Sequence, residues 1–314
     1  MPLRDDVRIW PWPRAGFAVG VHTNGGRAML AIFGGAKNSE RCRQLDFYIF
    51  KLNRWSRANV AVDDFYCRFR PTVTSNSARN VIICGCTDFH DDHCKHSCDI
   101  YMHSVKNVLR GVVRRIYSST RHCFRYHTAV FYHQRPLFNG GSCDQLHPVD
   151  RNELVMLKLE FGCFGAMPTN LSEFGALYGH AMAHLHDENQ LNCSGLLLCG
   201  GDRGYNALSD HCYLVDPLDR RRVTTVSRMA FARFGLRIGQ QTLSVNGRRR
   251  TFVYVFGGIG CEGSCTDSNI GPIATVERLD PATRHWQSMP AMVDVRGVHF
   301  DVATVNTMLL VADQ

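Results

Sequence analysis

No stretch of the chain approaches the ~18 consecutive apolar residues that a membrane-spanning helix requires. The first ten residues, MPLRDDVRIW, place two aspartates where an export signal has a basic head and an apolar middle. The sequence therefore reads as cytoplasmic, with no membrane span. Nucleophile-elbow, Walker and H-E-x-x-H patterns are also missing, and no helical periodicity stands out. These absences argue against the commonest hydrolase, nucleotide and zinc-peptidase chemistries. Lysine is scarce: of 36 basic residues 5 are lysine, which leaves 31 arginines.

What is present describes a globular chain. At 45% hydrophobic and 20% charged, 314 residues can bury a full core. The 14 cysteines are too dispersed for a small secreted disulfide framework and, without an export signal, read as reduced thiols, several of them inside apolar runs. The net charge of +8 is carried by guanidinium groups, which recognise carboxylate or phosphate through two parallel hydrogen bonds. Such a surface fits an acidic partner, although codon bias produces the same composition.

Short apolar runs ending in paired glycines recur: AMLAIFGG at Gly34 and Gly35, PLFNGG at Gly140 and Gly141, GLLLCGG at Gly200 and Gly201, TFVYVFGG at Gly257 and Gly258. A degenerate fifth, VIICGC, has Gly85 and Cys86 in those places. The first positions of these pairs are 51, 55, 60 and 57 residues apart, a propeller-length period. After each pair and a polar loop comes a second β-rich run: QLDFYIFKL, CDIYMHSV, RNELVMLKLE, SDHCYLVDP and IATVERLDP. Another short strand precedes each pair, and a sixth follows the last of them, each opening near an arginine or an aromatic residue: at Arg14, Arg70, Arg125, Tyr178, Arg233 and Arg296. With the turn residues Asp216-Pro217 and Asp280-Pro281 closing third strands, and Trp55 and Trp286 pinning fourth strands inward, each unit is a four-stranded blade. The expectation is an all-β fold, a single β-propeller of six blades over residues 1–314, with residues 1–13 completing the C-terminal blade.

At these residues the sequence resembles the kelch-repeat family, whose motif is four apolar residues and Gly-Gly, then a spaced aromatic and a Trp about one strand later. The resemblance covers nearly the whole chain. Units one and five match best; units two, three and four lack the Trp, and unit two lacks the second glycine. It implies a protein-interaction platform, an adaptor or scaffold without catalytic activity or cofactor, and no small-molecule substrate. In such propellers the partner is gripped by residues that open each innermost strand and by those just after the doublet. Transferred by register, these are Arg14, Arg70, Arg125, Tyr178, Arg233 and Arg296, then Lys37, Asn38, Asp88, Asp202 and Arg203. An arginine at such a corner either reaches the funnel, where it would hold an acidic peptide or protein, or braces the adjacent loop through backbone carbonyls. Nucleic acid is the less favoured anion, because stacking aromatics are not interleaved with the basic residues. The alternatives are a structural component of a cytoskeletal or organellar assembly, or a metal-dependent kelch-like enzyme.

The densest chemical cluster is in unit two, where Cys86, His90, His93, Cys94, His96 and Cys98 supply zinc-ligand types at spacings that match no standard finger. A polar loop is the favoured reading, with zinc the minority one. Cys261 and Cys265 are half of a metal site at most. Gly258, Gly260 and Gly263 form G-x-G-x-x-G, but the CTDSNIGP that follows is no helix, which excludes a dinucleotide site. His127, His180 and His299 recur at one register near the start of a first strand and read as buried, hydrogen-bonded structural histidines. The basic runs Arg220 to Arg222 and Arg248 to Arg250 read as solvated hairpin turns.

Overall fold

A computed structural model of the chain describes residues 15–24, 27–37, 40–41, 45–58, 71–75, 80–86, 98–104, 113–119, 126–132, 135–141, 154–158, 163–167, 177–185, 195–217, 219, 223–263, 265–266, 268–294, 301–305 and 308–312. Among them the fold is all-β: one 3₁₀ turn at Phe50–Leu52 and no α-helix. No helix of the described residues is long and apolar enough to cross a membrane. The segment at 1–13, expected to complete the last blade, lies outside the described residues, as do His299 and Arg220 to Arg222.

Five of the six expected four-strand units are present among the described residues as antiparallel sheets in chain order, and the sixth is described as a two-stranded hairpin. The first holds β1 (Ala15–Asn24), β2 (Arg27–Lys37), a short β3 (Glu40–Arg41) on the edge of β2, β4 (Leu45–Ile49) and β5 (Arg54–Ala58). The second runs β6 (Thr72–Ser75), β7 (Asn80–Cys86), β8 (Cys98–Ser104) and β9 (Val113–Ser119). The third runs β10 (Thr128–Tyr132), β11 (Arg135–Asn139), β12 (Leu154–Lys158) and β13 (Cys163–Met167). The fourth runs β14 (Ala181–Leu185), β15 (Gly195–Cys199), β16 (Cys212–Val215) and β17 (Val223–Val226). The chain then lays down β18 (Phe231–Phe234), β19 (Arg237–Val245), β20 (Arg248–Phe256), β21 (Ile259–Glu262), β22 (Gly271–Pro272), β23 (Val276–Asp280) and β24 (His285–Met289). Of these, β19-β20-β23-β24 form the fifth four-stranded sheet, and β18-β21-β22 form a small sheet of their own. A hairpin of β25 (Asp301–Val305) and β26 (Met308–Ala312) is the sixth unit.

The first strands of the six units touch in cyclic order: β1 on β6, β6 on β10, β10 on β14, β14 on β19, β19 on β25, and β25 back on β1. The run GLLLC shows why such strands read as unbroken apolar segments. Side chains alternate faces along a strand, so Leu196 and Leu198 join Tyr132, Leu137 and Met182 on one side of β15. Leu197 and Cys199 join Leu236, Val253 and Val255 on the other. Both faces of the sheet are buried, which removes the polar half of the usual alternation. Trp286 packs against the second of these clusters, and its indole N–H donates to the Ser227 carbonyl at 2.8 Å, tying the outer strand of unit five to unit four. Asn246 (φ 51°) and Gly247 (φ 73°) make the two-residue hairpin turn before Arg248, and Arg250 on that hairpin bonds Asp280 at 2.8 Å.

The glycine doublets carry the close approach between units. A Cβ on Gly140 would lie 2.3 Å from the Leu177 carbonyl oxygen, and one on Gly200 would lie 2.8 Å from that of Arg233, in each case just ahead of the next unit's first strand. The second glycine faces its own unit's opening: a Cβ on Gly258 would lie 2.7 Å from the Phe234 oxygen. Gly258 (φ 97°) and Gly247 (φ 73°) are both left-handed, but Gly247 has nothing within 4 Å of its Cβ position. Gly247→Ala should therefore cost only the left-handed backbone, roughly 1–2 kcal/mol. Gly258→Ala should cost clearly more, because backbone must move. Equal losses in urea unfolding would show that crowding at the doublet is not what selects glycine.

The structure corrects the thiol expectation at four positions. Cys199 and Cys212 form a disulfide, as do Cys261 and Cys265. Cys199 faces Cys212 directly across β15 and β16, with Cα atoms 4.2 Å apart and the next rung bonded from Gly200 N–H to the His211 carbonyl. That is a non-hydrogen-bonded pair, where opposing side chains come closest.

Candidate functional site

The first strands begin, and the doublets end, on the same side of the molecule. There a cavity of about 170 Å³ is lined by residues of five units, among them Val19, Thr72, Tyr126, His180, Leu236 and Arg237. Backbone hydrogen bonds run from unit to unit along its edge. Gly179 N–H donates to the Tyr126 carbonyl at 2.8 Å, and Gly235 N–H to the Gly179 carbonyl at 2.7 Å. The doublets add Gly141 N–H to the Leu177 carbonyl at 3.1 Å and Gly201 N–H to the Arg233 carbonyl at 2.8 Å. Three aromatic rings close over this corner: Tyr126 and Tyr178 have centroids 6.0 Å apart, and each lies 5.2 Å from Phe234. They touch one another, so they form a packed cluster and not a cage for a cation. Gly179 must be glycine here, since its Cβ would enter the Phe234 ring at 2.2 Å.

Arg233, expected at the opening of unit five, is corrected to a brace. The chain turns at Gly235 (φ 68°), so β19 begins at Arg237 and Arg233 falls in β18. Its side chain is 0% exposed and forms an ion pair with Glu277, itself 2% exposed. The other donors go to the Gly257 carbonyl at 3.2 Å, the Thr275 carbonyl at 3.3 Å, the Thr275 hydroxyl at 3.1 Å and, from Nε, the Phe231 carbonyl at 3.5 Å. Burial pulls the guanidinium pKa down while Glu277 pulls it back up. Glu277 also accepts the Ala230 N–H at 2.7 Å, so the pair ties β18 to the fifth sheet.

Tyr178 and Asp202 are likewise internal and are not open to a partner. Both are buried; the Tyr178 hydroxyl donates to Asp202 Oδ2 at 2.9 Å, and Gly204 N–H donates to Oδ1 at 2.8 Å. The two backbones also exchange hydrogen bonds, at 3.1 and 2.9 Å. This anchor holds the turn that follows, where Gly204 (φ 105°), Tyr205 (φ 55°) and Asn206 (φ 61°) are three consecutive left-handed residues. Arg203 is exposed beside it, and Tyr205 is 77% exposed. Only Arg203 of that pair was singled out by register. The sequence signal for Tyr205 was its place between the turn formers Gly204 and Asn206.

His180 is fully enclosed, and neither ring nitrogen has a hydrogen-bond partner, which corrects the expectation of a satisfied histidine. The ring lies under the third doublet position, where a Cβ on Gly140 would meet Cε1 at 2.5 Å. Loss of solvation, followed by the nearby His127, lowers its pKa to about 3, so the ring is neutral. His127 is buried at the same register one unit earlier.

Lys37 ends β2, and its side chain is not described. Arg14, Asn38, Arg70, Asp88, Arg125 and Arg296 lie outside the described residues. So do His90, His93, Cys94 and His96 of the zinc-type cluster, while Cys86 and Cys98 face each other across β7 and β8. Among the described residues no three His, Cys, Asp or Glu side chains converge as metal ligands. No protein-family model matches the chain, and no curated protein matches it.

Proposed function

We propose that the six units form one kelch-like β-propeller and that it acts as a non-catalytic interaction module, holding an acidic peptide or protein segment at the face where the first strands begin. The cyclic contact order of β1, β6, β10, β14, β19 and β25 supports the ring. The single observation that carries the binding role is the turn at Arg203 to Asn206. It presents an exposed aromatic ring and a guanidinium next to the Tyr178–Asp202 anchor, on a backbone held in left-handed geometry by a buried carboxylate. Such geometry is costly and persists where the surroundings enforce it. Tyr and Arg on a pre-ordered loop lose little freedom on binding and are the side chains that most often dominate interface energies.

The test is fluorescence anisotropy with labelled decapeptides rich in Asp and Glu, each paired with its Asn/Gln counterpart. The acidic member should bind the native protein, and Arg203→Glu and Tyr205→Ala should each weaken it by about tenfold or more. Equal binding of the amide counterpart, or unchanged affinity in both folded variants, would place the partner elsewhere.

A further inference from the structure

The two disulfides differ in access, and both adjoin the strand that carries Arg233 and Phe234. Cys199 and Cys212 are buried in the cluster shared by units four and five, with Leu197, Val226, Leu236 and Val253 around them. Cys265 is half-exposed, and Glu262 and Gly263 beside the second bridge are exposed. An attacking thiolate must reach a sulfur atom along the S–S axis, so access separates a reducible bridge from an inert one.

The second bridge also has more to hold. β21 pairs through all four of its residues with β18: Glu262 with Phe231, Cys261 with Ala232, Gly260 with Arg233, Ile259 with Phe234. On its other side β21 meets β22 at only two positions, Ile259 with Pro272 and Gly260 with Gly271. The excursion between them is stiffened by a local turn, in which Thr266 N–H donates to Asn269 Oδ1 at 2.7 Å and Asn269 N–H to the Thr266 carbonyl at 3.0 Å. The Cys261–Cys265 bridge is the covalent tie between that turn and β21. Any shift of β21 reaches β18 directly, because a Cβ on Gly260 would already lie 2.2 Å from the Ala232 oxygen and 3.1 Å from the Arg233 Cα. β18 in turn supplies Phe234 to the aromatic corner over the cavity.

We propose that Cys261–Cys265 is a redox clasp that sets the rigidity of β18 and of the aromatic corner, whereas Cys199–Cys212 is a permanent staple. Opening is a two-electron reduction by a dithiol. A reductant thiolate attacks Cys265 Sγ, Cys261 leaves as a thiolate and takes up a proton, and the reductant's second thiol resolves the mixed disulfide. The products are two protein thiols and an oxidised, cyclic reductant. The proposal is independent of what the module binds.

The experiment uses the full chain isolated without reductant, with free thiols first blocked by iodoacetamide. It is then exposed to stepped dithiothreitol, and newly freed thiols are labelled with N-ethylmaleimide and located by peptide mass spectrometry, with hydrogen exchange followed in parallel. Cys261 and Cys265 should label at a dithiothreitol level about tenfold below that needed for Cys199 and Cys212. Exchange in peptides covering 229–236 and 257–262 should rise about fivefold or more at the same step, and Cys265→Ser should show that rise with no reductant present. Three results would overturn the proposal. One is iodoacetamide on Cys261 or Cys265 before reduction; another is Cys199 and Cys212 opening first or together with them. The third is unchanged exchange over 229–236 in both the reduced protein and the variant.

Discussion

Arg233→Met should lower the unfolding free energy by about 3–5 kcal/mol, because it leaves the Glu277 carboxylate enclosed without its counter-ion. Both side chains are out of solvent, so screening by water does not reduce the effect. The desolvation cost of two ions is large, and their mutual attraction only offsets it; removing one partner is therefore worse than removing both. Arg233→Met combined with Glu277→Gln should recover at least half of the loss, since the amide oxygen still accepts the Ala230 N–H. Urea unfolding of the four members of the cycle measures the coupling. A single variant within ~1 kcal/mol of the native protein, or a double variant no better than the single, would contradict the brace.

The second large effect is acid sensitivity at His180. An unfolded histidine takes a proton near pH 6.5, but the enclosed ring, with His127 adding to the cost, does not do so until about pH 3. The neutral form is the one the fold accepts, so this residue's contribution is complete above pH 6.5 and is lost as the pH falls toward 3. The slope is about 1.4 kcal/mol per pH unit, or roughly 3 kcal/mol between pH 6.5 and pH 4. His180→Leu removes the titration. The stability difference between native protein and variant should therefore shrink, or turn in favour of the variant, by that amount on acidification. Parallel curves for the two proteins from pH 7 to pH 4 would show that the ring is protonated in the fold.

The strands were legible because their signals are local. A run such as GLLLC followed by Gly-Gly names a strand and its end at once, and in units one to four the first, second and third strands are found where the period placed them. The small sheet of β18, β21 and β22 was not legible. Arg-Phe-Gly-Leu-Arg looks like one strand opening, and only the left-handed Gly235 divides it into two that belong to different sheets. The same division moved the arginine at the cavity from Arg233 to Arg237. Pairing of Cys199 with Cys212 depends on the register across a 12-residue loop, which the apolar pattern on either side does not fix. Tyr178 and Asp202 were read as facing a partner, yet their side chains turn toward each other, and which way a polar side chain faces at such a corner depends on the partner opposite.

The doublets have a consequence for divergence. What they require in units three, four and five is the absence of a side chain, at Gly140 and Gly200 toward the following unit and at Gly201 and Gly258 toward their own. A constraint of that kind says nothing about the identity of the residues around it. Descendants of such a chain can exchange nearly every exposed position and lengthen any rim turn while the units stay in order. Two of them would be recognised as kin by the interval between their glycine pairs and the apolar runs that end on them, long after residue-by-residue identity had faded.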